Sequence, residues 1–146
     1  MVEQQVPSIM RDFVATLAKG DVEKTLAFFT DDAVWVTPDG TFKGKDELRR
    51  YLTWLGHTIK DMAITESGTG VMAQGNSGSF EHVIRGTIEG VKGEVLAWCA
   101  YEFSGGKIKQ LRTIYDRLSI AQQVAKGWLP RWLVGMIVRR LEKGLR

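Results

Sequence analysis

Residues 20–52 read GDVEKTLAFFTDDAVWVTPDGTFKGKDELRRYL and predict a helix, a strand, a tight turn, a short strand and a second helix in quick succession. Asp21 can cap the first helix, and residues 33–37 are of the kind that strands favour. Residues 38–40, PDG, predict the turn, because proline presets one dihedral angle and glycine accepts a positive φ. The second helix is expected over 45–55, with its apolar side chains on one face.

The flanking sequence predicts one more helix before this stretch and a run of strands after it. A helix is expected over 9–19, ended by Gly20. Strands are expected over 80–88, 95–103 and 108–118, joined by short glycine-containing connectors that suit hairpins. This order of elements predicts an α+β fold, in which a curved antiparallel sheet is wrapped around the N-terminal helices.

Composition restricts the classes of function. The 146 residues include one cysteine and two histidines, which argues against a zinc site of the usual ligands. Neither a metal nor a cofactor is expected. The net charge of +3 comes from the tail, where residues 126–146 hold six basic residues and one acidic residue. The rest of the chain carries no basic excess, so no nucleic-acid partner is expected.

The sequence is expected to divide into a main domain, 1–122, and a C-terminal extension, 123–146. It starts MVEQQVPSIMRDF, without a basic stretch followed by an apolar run, and no segment approaches the ~20 apolar residues of a membrane span. The expected location is therefore the cytoplasm.

Three stretches occur in order and carry a family resemblance: GDVEKTLAFFTDDAVWVTPDG, FKGKDELRRYL and GGKIKQLRTIYDRL. Together they resemble the nuclear transport factor 2-like superfamily, of the SnoaL-like and ketosteroid-isomerase-like type, over about residues 5–120. The resemblance implies a cone-shaped α+β barrel, a cavity for a small hydrophobic molecule and a homodimer formed through the sheet. Its enzymes include ketosteroid isomerases, polyketide cyclases, scytalone dehydratase and limonene epoxide hydrolase, whereas other members bind or scaffold, so the fold alone does not define the function.

Three positions depart from the ketosteroid isomerases. The oxyanion-stabilising tyrosine, the general-base aspartate and the protonated aspartate of those enzymes correspond here to Phe13, Thr37 and Cys99. That reaction needs a carboxylate base and strong donors to the enolate oxygen, so the resemblance argues against this chemistry.

The same comparison with limonene epoxide hydrolase leaves one candidate. The arginine and aspartate of that family fall near Phe80 and His82, and its final-strand aspartate falls at Thr113. His82 can exchange a proton near neutral pH without a large pKa shift, so it is the expected catalytic residue of an isomerase, cyclase, dehydratase or hydrolase reaction. The alternative is a histidine held by a core hydrogen bond, in a protein that binds a ligand or a partner without catalysis.

Strand alternation predicts which side chains share the cavity with His82. The expected ligand-binding side chains are mostly apolar and aromatic: Phe13, Trp35, Thr37, Phe80, Cys99, Tyr101, Thr113 and Tyr115. Such a lining suits a largely hydrophobic ligand with one or two oxygens. Cys99 is expected to act as a small buried hydrophobe rather than a nucleophile, because no charged partner for a thiolate is visible on its face.

The C-terminal extension predicts a further helix from about Arg131, with Pro130 in its first turn. Its apolar stripe begins at Trp128 and runs to Leu145. Three coverings are open for this stripe: packing on the domain or a dimer mate, contact of residues 128–146 with an anionic membrane surface, or a disordered or partner-recruiting tail.

Overall fold

A computed structural model describes residues 5–144, and within that range the chain forms five helices and six strands. Leu145, which the sequence places in the C-terminal apolar stripe, lies outside the described residues. The helices are α1 (Gln5–Ala18), α2 (Val22–Leu26), α3 (Gly44–Thr58), α4 (Arg117–Val124) and α5 (Trp128–Leu141). The strands are β1 (Phe29–Thr37), β2 (Gly40–Lys43), β3 (Lys60–Gln74), β4 (Ser77–Ile88), β5 (Val91–Ser104) and β6 (Lys107–Tyr115).

The six strands form one sheet in the order β2-β1-β6-β5-β4-β3. The sheet does not close on itself, because β2 and β3 lie at opposite edges. The predicted α+β class is confirmed, but the prediction of a wholly antiparallel sheet is wrong at one pair. Strand β1 pairs with β6 in parallel, whereas the other neighbours are antiparallel.

Helices α1 and α3 cover the inner face of the sheet. Helix α1 packs against β3 and β4, and α3 packs against β1 and β2. Each helix buries one apolar side, which for α1 includes Met10 and Phe13 and for α3 includes Leu48 and Leu52. The core therefore lies between the helices and the sheet, as the N-terminal position of the helices predicts.

Strand β3 is long because a bulge allows it to bend. The pairing of β3 with β4 shifts between Glu66 and Val71, where Gly68 and Gly70 take positive φ values of +55° and +62°. A side chain at Gly68 would collide with the Glu81 carboxylate, which accepts hydrogen bonds from Thr69. The positive φ values therefore favour glycine at both positions, and the strand bends at this bulge.

The chain turns into helix α4 directly after β6, where the sequence prediction continued the strand to Leu118. The Asp116 carboxylate caps this helix by accepting hydrogen bonds from the amides of Leu118 and Ser119. The expected domain boundary before Gln123 falls inside α4. The C-terminal helix is present as predicted, although α5 begins at Trp128 rather than about Arg131.

Candidate functional site

A cavity of about 320 Å³ lies between the inner face of the sheet and helices α1, α3 and α4. Its deep end is formed by buried side chains that include Phe13 and Tyr101, and the half-exposed Trp54 shows that the opposite end reaches the surface. Most of the remaining walls are apolar: Val14, Leu17, Leu55, Ile59, Met62, Ile64, Ile84, Ile88, Val95, Ile120, Ala121 and Val124. Few polar groups interrupt this apolar surface, so each of them restricts which ligand can bind and how it is oriented.

Asp39 is the centre of a polar cluster at the mouth of the cavity. One of its carboxylate oxygens, Oδ2, accepts hydrogen bonds from both Tyr51, at 3.1 Å, and Tyr115. Arg117 lies beside the other oxygen, with its Nε 3.7 Å from Oδ1, and donates a hydrogen bond to the Pro38 carbonyl at 3.1 Å. We refer to Asp39, Tyr51, Tyr115 and Arg117 as the mouth cluster.

The turn after β1 holds the Asp39 side chain in place. The Thr37 hydroxyl accepts a hydrogen bond from the Asp39 amide at 3.0 Å and donates one to the Gly40 carbonyl at 3.2 Å. A threonine hydroxyl that bonds its own turn in this way restricts the backbone locally. The side chain of Asp39 is only 17% exposed, so its contacts with the two phenols are largely shielded from water.

The two phenols remain protonated donors. Burial raises the pKa of Tyr51, and the nearby charge of Asp39 raises it further. Burial also raises the pKa of Tyr115, as does its hydrogen bond to Asp39. The ring of Tyr51 is fixed by stacking on Phe42, with 4.2 Å between the ring centroids, and by an edge contact with Trp35.

His82 lines the cavity on strand β4 and is almost completely buried. Its Nδ1 lies 3.2 Å from the Phe80 carbonyl, an interaction that requires a proton on Nδ1 and leaves the lone pair on Nε2. Nε2 has no protein hydrogen-bond partner among the described residues, and the carboxylate opposite His82 in register, Glu66 on β3, pairs with Arg11 instead. Burial lowers the pKa of His82, so the imidazole is neutral near pH 7.

A second set of polar contacts lies deeper in the cavity and links strands β1, β6 and β5. The Trp35 indole donates a hydrogen bond to the Thr113 hydroxyl at 2.9 Å, and the Cys99 sulfur lies 3.2 Å from the same oxygen. Burial raises the pKa of the Cys99 thiol to about 11, so it is a neutral group at pH 7. The Tyr101 hydroxyl nearby is buried and interacts within residues 5–144 only with the Cys99 thiol, a weak hydrogen-bonding group, so an oxygen of a bound molecule would satisfy it better.

Most of the residues that the sequence assigns to the site face the cavity together: Phe13, Trp35, His82, Cys99, Tyr101, Thr113 and Tyr115. Two others are buried nearby but are not part of its lining. Thr37 uses its hydroxyl within the turn, and the Phe80 ring packs in the core against His82, with 4.8 Å between the ring centroids.

Sequence reasoning missed three members of the mouth cluster. The sequence pattern places Asp39 in a turn and Tyr51 on the apolar side of a helix, and it indicates no role for Arg117. They meet because β1 and β6 are parallel, which brings the end of β1 beside the end of β6. The sequence offers one signal. The phenol of Tyr51 and the carboxylate of Asp39 occur in a helix and a turn that could form without either group.

Helix α4 closes one side of the cavity. Ile120, Ala121 and Val124 contribute to the lining, and Gln123 ties the helix to strand β5. The Gln123 side chain accepts a hydrogen bond from the Glu94 amide at 2.9 Å and donates one to the Glu94 carbonyl at 2.8 Å. Both backbone polar groups of Glu94 are thereby satisfied, as in a strand pair.

The described residues offer no obvious metal centre. In residues 5–144 no group of three or more His, Cys, Asp or Glu side chains is placed to hold a metal ion.

Several solved structures resemble this chain. A protein of Catenulispora acidiphila with a ketosteroid isomerase-like fold, in complex with trimethylamine, is 20% identical over 80% of this chain and 92% of its own, with a TM-score of 0.74. A nuclear transport factor 2-like protein of Burkholderia xenovorans is 22% identical over 86% of this chain and 99% of its own, with a TM-score of 0.69. An LEH-like epoxide hydrolase of M. tuberculosis is 16% identical over 94% of this chain and 98% of its own, with a TM-score of 0.72.

These likenesses show the fold and leave the activity open. No curated protein matches the sequence. A model of the SnoaL-like domain matches residues 10–111, which include α3, the bent strand β3 and most of the cavity wall. Because this match spans more than half of the sequence, the chain belongs to the SnoaL-like domain family.

Proposed function

We propose that this chain binds a small, largely apolar molecule carrying one or two oxygens. The observation that supports this proposal is the cavity of about 320 Å³, whose apolar walls lie between the mouth cluster and the deep polar groups. This volume is at the lower end of the range for small-molecule sites, about 300–1,000 Å³. The apolar body of a ligand fits the walls, and its oxygens have donors at either end.

The donors favour an oxygen as the polar group of the ligand. At the mouth, Tyr51 and Tyr115 already donate their phenolic hydrogens to Asp39, so the Arg117 guanidinium supplies the donors there, and Tyr101 carries a buried hydroxyl at the deep end. A carbonyl, hydroxyl or ether oxygen accepts such hydrogen bonds without bringing a charge into a site of low polarity.

A cationic ligand is less well supported. The Catenulispora acidiphila protein is in complex with trimethylamine, and the aromatic faces of Tyr51 and Trp54 beside Asp39 are of the type that holds alkylammonium groups. However, Arg50 and Arg117 line the outer part of the same mouth. Their positive charges oppose a bound cation, so we favour a neutral ligand.

A cavity-filling substitution tests ligand binding. Val95 lines the cavity on β5, while its neighbour Leu96 points to the opposite face of the sheet and is exposed. Native mass spectrometry of the purified protein is expected to show a bound molecule on the wild type. Val95→Phe should lose that molecule because the added ring occupies its space, whereas the matched variant Leu96→Phe should keep it.

The proposal is wrong if the bound mass persists equally in Val95→Phe and Leu96→Phe, since the molecule would then sit elsewhere. It is also wrong if the wild type carries nothing and no oxygenated apolar compound raises its melting temperature. Circular dichroism spectra of both variants establish that they are folded.

Proton transfer on the bound molecule is a second candidate function. The specific observation in its favour is that two groups able to exchange protons, neutral His82 and the Asp39 carboxylate, line one cavity. His82 pairs in register with Ala97, which pairs with Tyr115, so His82 and Tyr115 lie roughly 10 Å apart across two strand spacings. A ligand between them can lose a proton to Nε2 of the neutral His82 ring, and the imidazolium so formed can return that proton at another atom of the ligand, as isomerisation and cyclisation require.

Isotope exchange tests this candidate. The molecule that mass spectrometry identifies is incubated with the protein in deuterated water, and proton transfer at carbon should place deuterium in it. His82→Asn keeps a donor for the Phe80 carbonyl but removes the base, and should abolish the incorporation. Incorporation no faster than in buffer alone would reduce the protein to a binding module and leave the ligand-binding proposal intact.

A further inference from the structure

Helix α5 presents large apolar side chains to solvent. Six of them, which we call the α5 surface, are each 42–79% exposed: Trp128, Leu129, Trp132, Leu133, Met136 and Ile137. A contiguous patch of this kind is uncommon on a soluble monomer and marks a surface that another body covers. The helix packs mainly against α4, and only its narrow side with Val134 and Val138 is partly buried.

Positive charge adjoins the α5 surface at the end of the helix. Arg139 and Arg140 lie in its last turn, and Lys143 follows directly. None of the three forms a salt bridge within residues 5–144. The cations, with Glu142 as the acidic residue among them, are available to an external anion, and the two arginines lie on the same helix as the tryptophans of the α5 surface, about 10 Å or more further along its axis. Tryptophans favour the boundary between water and lipid.

We propose that α5 binds the surface of an anionic membrane, with the α5 surface in the lipid boundary and the basic side chains among the headgroups. A protein partner would also cover apolar groups, but basic side chains without a salt bridge among the described residues, on one helix with two tryptophans, complement an anionic bilayer. The cations explain the choice of lipid, and the apolar side chains explain why the attachment persists.

The geometry requires the helix to lie on the membrane rather than cross it. The 14 residues of α5 are about 21 Å long, which is shorter than the ~30 Å hydrocarbon core. No helix among the described residues is long and apolar enough to span a bilayer. Gly127, with a φ of +82°, lets the chain turn between α4 and α5, so that α5 can lie flat beside the cavity wall.

Flotation of the full chain with vesicles tests this proposal. Vesicles of phosphatidylcholine mixed with phosphatidylglycerol should carry the protein upward, whereas phosphatidylcholine alone should carry at least about fivefold less. Arg139→Glu with Arg140→Glu should weaken binding to the anionic vesicles at least about tenfold, because each charge contributes roughly fivefold near such a surface. Trp128→Ala with Trp132→Ala should weaken it by at least about tenfold through the lost apolar contact.

Met72→Ala is the control, because Met72 is 47% exposed, close to the 50% of Trp132, and lies on β3 outside the cavity lining. This control should float like the wild type. Equal flotation of the wild type and the Trp128 and Trp132 variant would overturn the proposal, as would a wild type that stays at the bottom of the gradient. If those variants instead lower the mass of an oligomer in light scattering, α5 is a protein interface and the membrane proposal is wrong.

Discussion

Asp39 shows how one side chain organises the mouth of the cavity. Its Oδ2 atom accepts two phenolic hydrogens, and Oδ1 lies near the Arg117 guanidinium. The carboxylate thus joins α3 to the junction of β6 with α4, which lies far from α3 in the sequence. Charge-assisted hydrogen bonds of this kind are shorter and stronger than neutral ones, so the mouth is a rigid part of the site.

His82 predicts a pH dependence of stability. Burial lowers the pKa of its ring in the folded state, whereas the unfolded chain takes up a proton below about pH 6.5. The unfolded state therefore binds more protons in the window between these two pKa values, and acidification favours unfolding by at most about 1.4 kcal/mol per pH unit. The free energy of unfolding, measured with urea, should fall as the pH is lowered from about 7.5 to about 5.5.

His82→Asn isolates this contribution. The asparagine side chain keeps a donor for the Phe80 carbonyl but does not titrate. The difference in free energy of unfolding between wild type and variant should shrink on acidification, since only the wild type loses the His82 term. Parallel pH curves for the two proteins would contradict a buried neutral imidazole.

At the scale of elements, the sequence predicts those whose signals are local. Periodic apolar residues predict α1, α3 and α5, and short glycine-containing connectors predict the hairpins of β4, β5 and β6. The parallel pairing of β1 with β6 is not local, because Trp35 and Leu111 are in register but lie on distant segments. For this reason Tyr115, whose inward position follows from alternation, could be predicted, whereas its partner Asp39 could not.

Helix α4 illustrates a second limit of prediction from the sequence, namely where a strand ends and a helix begins. Residues Asp116 to Val124 combine a good capping residue with a weak apolar pattern, and the preceding alternation of β6 continues smoothly into Arg117 and Leu118. The structure ends the strand at Tyr115 because the Asp116 carboxylate satisfies the first amides of a helix. The cavity wall from α4 follows from this one cap, and so does the attachment of α5 next to it.

At the scale of the whole molecule, the outer face of the sheet has an apolar patch without a cover. Leu96 and Ile114 are 57% and 65% exposed on neighbouring strands. In register, Leu96 pairs with Val83 and Ile114 pairs with Trp98, and the last two are partly exposed as well. The patch spans three adjacent strands and faces away from the cavity, so a partner can cover it without blocking the site.

We expect a second copy of the chain to cover this patch and form the homodimer that the resemblance implies. Light scattering after gel filtration should give twice the chain mass of 16.4 kDa. Leu96→Lys with Ile114→Lys should yield monomers, because opposed lysines repel and lose the apolar contact. Leu129→Lys with Ile137→Lys makes the same chemical change on α5 and should leave the mass unchanged. If the α5 pair dissociates the dimer and the sheet pair does not, the copies meet through α5, and the patch on the sheet is merely exposed.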